Sequence, residues 1–180
     1  MKEEIIISGF GGQGVLSMGK LLAYAAMMEG KEVTWLPAYG PEQRGGTANV
    51  TVIISDQPIA SPIVSTYSTA ILLNQPSLER FTPAIKTGGT LIFDTYGIIA
   101  PPSRPDIQPF RISAMDAAAS MKNIKTFNMF ILGGLIKVCP IVTIENIKKA
   151  LEHTLPLRHH HLLAENEAAL LKGMEIIEKV

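Results

Sequence analysis

Residues 4–15 read EIIISGFGGQGV, a short run of branched apolar residues that passes directly into glycines. Such an apolar run is typical of a strand buried on both faces of a sheet. Residues 15–29 then place apolar side chains at helical spacing, and Gly30 stands where a helix would end. Residues 32–36 predict a second strand. A strand, a glycine turn, a helix and a second strand indicate a crossover unit with parallel strands.

The rest of the chain continues this alternation and then becomes helical. Alternating apolar and polar residues over 48–55 predict a strand with period two, while the apolar runs 69–74 and 90–94 predict buried strands. Residues 108–112 predict one more strand, and the last third of the chain has helical spacing. We therefore expect residues 1–180 to form a single three-layer α/β/α Rossmann-like domain with a mixed, mainly parallel sheet.

Three residues at the ends of predicted elements have candidate local roles. Ser113 precedes a helical segment and is followed three residues later by Asp116, a short variant of the N-terminal capping box. Asp94 follows a predicted strand, where a helix cap is the preferred interpretation and a ligand the alternative. Cys139, beside a proline after an apolar helix, is interpreted as a buried small residue rather than a nucleophile.

Charge and cysteine content exclude several classes of function. The 180 residues include 16 basic and 16 acidic side chains, so the formal net charge is zero. Nucleic acids and anionic membranes bind proteins with a basic surface, and we expect neither as a partner. A single cysteine cannot form an internal disulfide or by itself hold zinc or an iron–sulfur cluster, and no metal site is expected.

Hydropathy predicts the compartment and the behaviour of the isolated chain. No apolar run has membrane-spanning length and no signal peptide is recognised, so the sequence predicts a cytoplasmic protein. Only 18% of the residues are charged while 47% are apolar. This composition predicts a homo-oligomer when the chain is isolated.

Residues 9–14, GFGGQG, have the spacing G-x-G-x-x-G between a predicted strand and a predicted helix. Glycines permit positive φ and close approach of a ligand, and N–H groups at the start of a helix attract an anion. A dinucleotide site also needs an acidic residue after the second strand, and residues 34–39 contain no carboxylate. Close packing of helix and strand is the alternative role of these glycines. The candidate ligand contacts are Gly11, Gly12, Gln13, Gly14 and Val15.

Residues 39–47 read YGPEQRGGT and form a second glycine-rich segment between two predicted strands. Open α/β sheets bind ligands beyond the carboxyl ends of their strands, so we expect this segment beside the first glycine loop. Arg44, next to two glycines, has room to present its guanidinium to a phosphate or carboxylate, and a solvated turn is the alternative. The residues around both loops are predicted to form an interface: Phe10, Tyr39, Gly40, Pro41, Glu42, Gly45 and Gly46.

Together the two segments resemble the gamma subunit of the 2-oxoacid:ferredoxin oxidoreductases, the pyruvate, ketoisovalerate and 2-oxoglutarate enzymes. The resemblance is carried by residues 11–15, 39–42 and 44–46, and weaker matches extend it over nearly the whole chain. These weaker matches are Asp94, Asn128, Leu132, Gly133 and residues 166–173.

The resemblance implies CoA-dependent oxidative decarboxylation of a 2-oxoacid, with ferredoxin as the electron acceptor. It implies that alpha and beta subunits hold thiamine diphosphate and magnesium, and that beta or a small delta ferredoxin-like subunit holds the iron–sulfur clusters. This chain would then be a subunit that binds no cofactor alone, has no catalytic residue and is inactive alone. Arg44 and the first loop would contact a phosphate of CoA or thiamine diphosphate, or a partner's carboxylate.

The form of the chain bears on the substrate. A gamma-type chain with no fused ferredoxin domain is similar to the 2-oxoglutarate enzymes, which favours 2-oxoglutarate. Two alternatives stay open from the residues themselves. One is a free-standing nucleotide-binding module of Rossmann type, and the other is an assembly scaffold whose glycines serve packing alone.

Overall fold

The computed structural model describes residues 1–39 and 46–180, in which strands alternate with helices before helices dominate. Among the described residues, no helix is both long enough and apolar enough to cross a lipid bilayer. The elements are β1 (Lys2–Phe10), α1 (Val15–Met28), β2 (Glu32–Tyr39), β3 (Thr47–Ser55), β4 (Tyr67–Leu72), α2 (Gln75–Phe81), β5 (Ile85–Asp94), β6 (Gln108–Ile112), α3 (Ala114–Ser120), α4 (Phe127–Val138), α5 (Ile144–Thr154), α6 (Leu163–Ile176) and β7 (Glu178–Lys179).

The strands form one mixed sheet in the order β2-β3-β1-β4-β5-β6-β7. β1, β4, β5 and β6 pair in parallel, while β3 runs antiparallel between β1 and β2, and β7 runs antiparallel to β6. Five of these seven strands therefore point in one direction. The α/β class and the mixed sheet predicted from the sequence are confirmed. The first crossover brings β2 into the direction of β1, but β3 separates the two strands.

Helices cover the two faces of the sheet unequally. Ile5 and Ile7 of β1 face a large core formed with α1 and α3 to α6. Ile6 faces the opposite side, where Leu78 and Phe81 of α2 cover a smaller core. Successive residues of β1 are buried on both faces, as its continuous apolar run predicts.

Two glycines allow α4 and α6 to cross in close contact. A Cβ atom at Gly133 would lie 1.9 Å from the carbonyl oxygen of Leu170, and one at Gly173 would lie 2.0 Å from that of Phe130. Both obstacles are backbone atoms, which cannot turn away as a side chain can. Any larger residue at these two positions would push the helices apart.

The start of α3 is capped by Asp94, at the end of β5. The buried carboxylate accepts hydrogen bonds from the N–H groups of Ala114 (2.8 Å), Met115 (3.2 Å) and Tyr96 (3.3 Å). Ser113 makes no side-chain cap, so the predicted capping box at this helix is wrong. The reason is that a carboxylate from the neighbouring strand, a stronger acceptor than a hydroxyl, reaches the same N–H groups.

Candidate functional site

The first glycine loop joins β1 to α1 at the carboxyl edge of the parallel strands. Gly12 has a φ of 96°, and Gly14, the N-cap of α1, has a φ of 74°. Glycine is favoured at both angles. No side chain caps α1, and no described atom lies within 4 Å of where a Cβ at Gly12 would be. The amino end of α1 therefore directs its partial positive charge toward open space.

The N–H groups of this loop are of two kinds. Gly11 donates to the carbonyl oxygen of Gly46 (3.0 Å), and Gln13 donates to that of Phe10 (3.2 Å). Three further N–H groups have no acceptor in the described residues, and these remain for an anion: Gly12, Gly14 and Val15. The side chain of Val15 is buried in the core, so only its backbone can take part.

Gln13 holds the loop in place. Its Oε1 accepts a hydrogen bond from the N–H of Phe10 (2.6 Å), and its Nε2 donates to the carbonyl oxygen of Leu73 (3.3 Å). Both ends of the amide are therefore used within the protein, and they tie the loop to the end of β4. We assign the Gln13 side chain a positioning role, in place of the ligand contact that the sequence suggested.

The ends of the second glycine segment lie at the first loop. Besides the bond between Gly11 and Gly46, Thr47 pairs with Phe10 at the start of β3. β2 ends at the same edge of the sheet, where Tyr39 pairs with Ala48. The remaining predicted site residues of this segment lie outside the described residues: Gly40, Pro41, Glu42, Arg44 and Gly45.

Asn128, in the first turn of α4, lies against the first loop. Its Cβ, Cγ and Nδ2 atoms lie 2.8–3.0 Å from the position that a Cβ at Gly14 would occupy. Its half-buried amide forms no hydrogen bond with the described residues. Sequence reasoning noted Asn128 only as a family match, because the fold alone brings α4 beside a loop more than 100 positions earlier.

Exposed apolar side chains surround this edge of the sheet. Phe10 is 41% exposed at the end of β1, as an interface residue should be. The side chain of Tyr39 is outside the described part of the molecule. Tyr96 and Ile99, which follow β5, are 75% and 90% exposed. Sequence reasoning missed these two because they belong to no motif or periodic segment.

Cys139 is chemically quiet in this fold. Burial raises the pKa of its thiol to about 11, and the charge of Glu3 adds to the increase, although a weak hydrogen bond with Thr69 opposes it. The thiol is protonated at neutral pH, in agreement with a small buried residue. Within residues 1–39 and 46–180, no group of three or more His, Cys, Asp or Glu residues is placed to hold a metal ion.

Comparison with known proteins identifies the relatives of this chain. The model of the pyruvate ferredoxin/flavodoxin oxidoreductase family matches residues 4–176. The chain belongs to this family. The 2-oxoglutarate synthase subunit KorC of Methanocaldococcus jannaschii is 30% identical, over 100% of this chain and 96% of that protein. The ketoisovalerate oxidoreductase subunit VorA of Methanothermobacter thermautotrophicus is 42% identical over 130 residues, 72% of this chain but 27% of that relative. The chain thus matches only about a quarter of VorA.

Solved structures of the family share the fold. The gamma subunit of a keto/oxoacid ferredoxin oxidoreductase from Geobacter sulfurreducens superposes with a TM-score of 0.85 at 27% identity, covering 98% of this chain and 96% of that one. A 2-oxoglutarate:ferredoxin oxidoreductase from Magnetococcus marinus, solved with 2-oxoglutarate, coenzyme A and succinyl-CoA, gives 0.88 at 25% identity. The match covers 97% of this chain and 30% of that one. The predicted resemblance to gamma subunits is confirmed.

Proposed function

We propose that this chain is the gamma subunit of a multi-subunit 2-oxoacid:ferredoxin oxidoreductase. The assembled enzyme would convert a 2-oxoacid and CoA to an acyl-CoA and carbon dioxide, and pass two electrons to ferredoxin. The observation that carries the proposal is the end-to-end match to KorC and to the G. sulfurreducens gamma subunit, which are chains of nearly the same length.

We favour 2-oxoglutarate as the substrate. KorC is named for a 2-oxoglutarate enzyme and matches along its whole length, whereas VorA is named for a ketoisovalerate enzyme and matches over about a quarter of its length. The match to the M. marinus enzyme, whose structure holds 2-oxoglutarate, supports the same choice.

The two glycine segments form one anion site in this proposal. The donors are the N–H groups of Gly12, Gly14 and Val15 together with the guanidinium of Arg44. The uncapped amino end of α1 and the bond between Gly11 and Gly46 support this arrangement. The anion is a phosphate of CoA or thiamine diphosphate, and the rival is a carboxylate of a partner subunit.

The redox cofactors belong to other subunits in this proposal. Thiamine diphosphate and magnesium lie with the alpha and beta subunits, and iron–sulfur clusters lie with beta or a delta subunit. Residues 1–180 act as one domain that supplies no metal ligand and no catalytic residue. The exposed Phe10, Tyr96 and Ile99 support a contact between partner subunits and the edge of the sheet that carries the glycine loops.

The proposal is tested by assaying the chain alone and co-purified with its alpha and beta subunits. Each preparation receives CoA, a viologen dye and one of three acids: 2-oxoglutarate, pyruvate or 3-methyl-2-oxobutanoate. We expect no turnover and no visible chromophore from the chain alone, and the highest kcat/KM of the assembly with 2-oxoglutarate. Turnover by the chain alone, or an assembly that turns over none of the three acids, would contradict the proposal. A preference for another acid would reassign the substrate alone.

The isolated chain self-associates in this proposal. Low charge content and the exposed apolar residues at the glycine-loop edge support this expectation. Light scattering at micromolar concentration should give a mass above that of the 19.5 kDa monomer. A single species with the monomer mass would contradict it.

A further inference from the structure

A cleft of about 450 Å³ lies between α1, the start of α4 and the segment that follows α5. We call it the α1–α4 cleft. Its volume lies within the range of small-molecule sites. Its floor is apolar, because buried side chains from three helices meet there: Leu21, Met129 and Leu151.

The rim of the α1–α4 cleft is cationic. Lys20 reaches it from α1, Lys125 from the short 3-10 helix before α4, and His159 from the 3-10 helix that follows α5. None of the residues that line the cleft is an aspartate or a glutamate. In the described part of the chain, Lys20 and Lys125 form no salt bridge. The charge at this rim is therefore uncompensated, and the rim attracts an anion.

The amino end of α4 adds to this attraction. Thr126, the N-cap, donates its hydroxyl to the carbonyl oxygen of Asn123 and does not cap the helix. Both residues line the cleft, so the first N–H groups of this 12-residue helix lie at its wall. Asn128, which touches Gly14 of the first glycine loop, lines the cleft as well. The cleft and the glycine loop therefore share a wall.

We propose that the α1–α4 cleft binds a purine nucleoside phosphate. The flat base lies on the apolar floor, and the phosphate lies between Lys20, Lys125 and the amino end of α4. The amides of Asn123 and Asn166 on the walls can pair with the polar edge of the base. The inference rests on the proposed function and deepens it, because CoA ends in an adenosine that carries phosphates. Free ADP or ATP offers the same chemistry.

The test is calorimetric titration of the assembled enzyme with adenosine 3′,5′-bisphosphate, with ADP and with inorganic phosphate. Replacing Lys125 with methionine (Lys125→Met) removes one charge at the rim and should raise the Kd of the bisphosphate about tenfold, and Lys20→Met should do the same. Lys137→Met is the matched control, since this exposed lysine lies in the last turn of α4, away from the cleft. Its Kd should equal that of the wild type.

The outcomes separate the source of the ligand from the existence of the site. A clear preference for the bisphosphate over ADP assigns the cleft to CoA, and equal affinities assign it to free nucleotides. Both results support the inference if Lys125→Met weakens binding. A wild-type enzyme that binds neither nucleotide, or a Lys125→Met enzyme with unchanged affinity, overturns it. The proposed function fails separately, if the chain does not assemble into an active oxidoreductase.

Discussion

Asp94 and Ser113 both stand near the N–H groups at the start of α3, and the fold selects Asp94. A capping box is a local pattern, so the sequence favours the serine that directly precedes the helix. The parallel pairing of β5 with β6 places Asp94 opposite Ile112, next to the start of α3. Sequence reasoning identified Asp94 as a cap but could not identify the helix that it caps.

We expect Asp94→Ala to lower the free energy of unfolding by about 1–2 kcal/mol, because three backbone N–H groups lose their acceptor. Ser113→Ala should change it by less than about 0.5 kcal/mol. Urea unfolding of both variants measures the difference. A larger loss for Ser113→Ala than for Asp94→Ala would restore the capping box.

Glu29 joins the end of α1 to the start of α5. Its Oε1 accepts hydrogen bonds from the N–H of Thr143 (2.6 Å) and from Nδ2 of Asn146 (3.1 Å), and Lys31 lies 3.3 Å from Oε2. Burial by itself would raise the pKa of this carboxyl, but the hydrogen bonds outweigh it and hold the pKa at about 2, against 4.5 for a free side chain. The ionised form is therefore more stable in the folded protein than in the unfolded one.

The stabilisation from Glu29 should be complete above about pH 5 and disappear as the pH falls toward 2, since the folded-state pKa is the lower one. Glu29→Gln should therefore cost about 1–3 kcal/mol at pH 7 and much less near pH 2. Urea titrations at several pH values measure this. Glu175→Gln, at an exposed helix surface pair, is the control and should change little. A Glu29→Gln cost that does not vary with pH would contradict the account.

At the scale of elements, the sequence predicted the strands with strong patterns and missed those set by neighbours. β1, β3 and α1 follow their apolar spacing closely. The second strand was expected to stop at Leu36, yet β2 continues through Pro37 to Tyr39. β2 lies at the edge of the sheet, where proline is tolerated because one side of the strand has no partner. β7, with two residues, carries no periodicity and could not be predicted.

The crossing of α4 and α6 gives a prediction at the same scale. Gly133→Ala should destabilise the protein by about 3 kcal/mol or more, because its Cβ would overlap a backbone carbonyl of α6. Gly134→Ala, the next residue of α4, is the matched control. A Cβ there meets the tips of the Ile177 and Ile112 side chains at 2.9 and 3.0 Å, which can adjust. Thermal unfolding of both variants checks this, and equal losses would contradict it.

At the scale of the whole molecule, the sequence located the site but not all of its parts. The rule that ligands bind at the carboxyl ends of parallel strands predicted that the two glycine segments meet, and Gly46 does contact Gly11. The positioning role of Gln13 depends on Leu73 of another strand end, and the place of Asn128 depends on how α4 packs. Such contacts arise from tertiary structure and leave no local pattern in the sequence.

The most direct test of the central claim, that the two glycine segments hold one anion, is the effect of Arg44→Ala on the assembled enzyme. The KM for CoA and the dissociation constant of the subunits are measured separately. A charge-assisted contact is worth about 1.5–3 kcal/mol, so one of the two constants should rise about ten- to a hundredfold. The melting temperature of the chain should stay unchanged. Arg111→Ala, which removes an exposed ion pair with Glu178, is the control and should alter neither constant. An Arg44→Ala enzyme with both constants equal to the wild type would contradict the account.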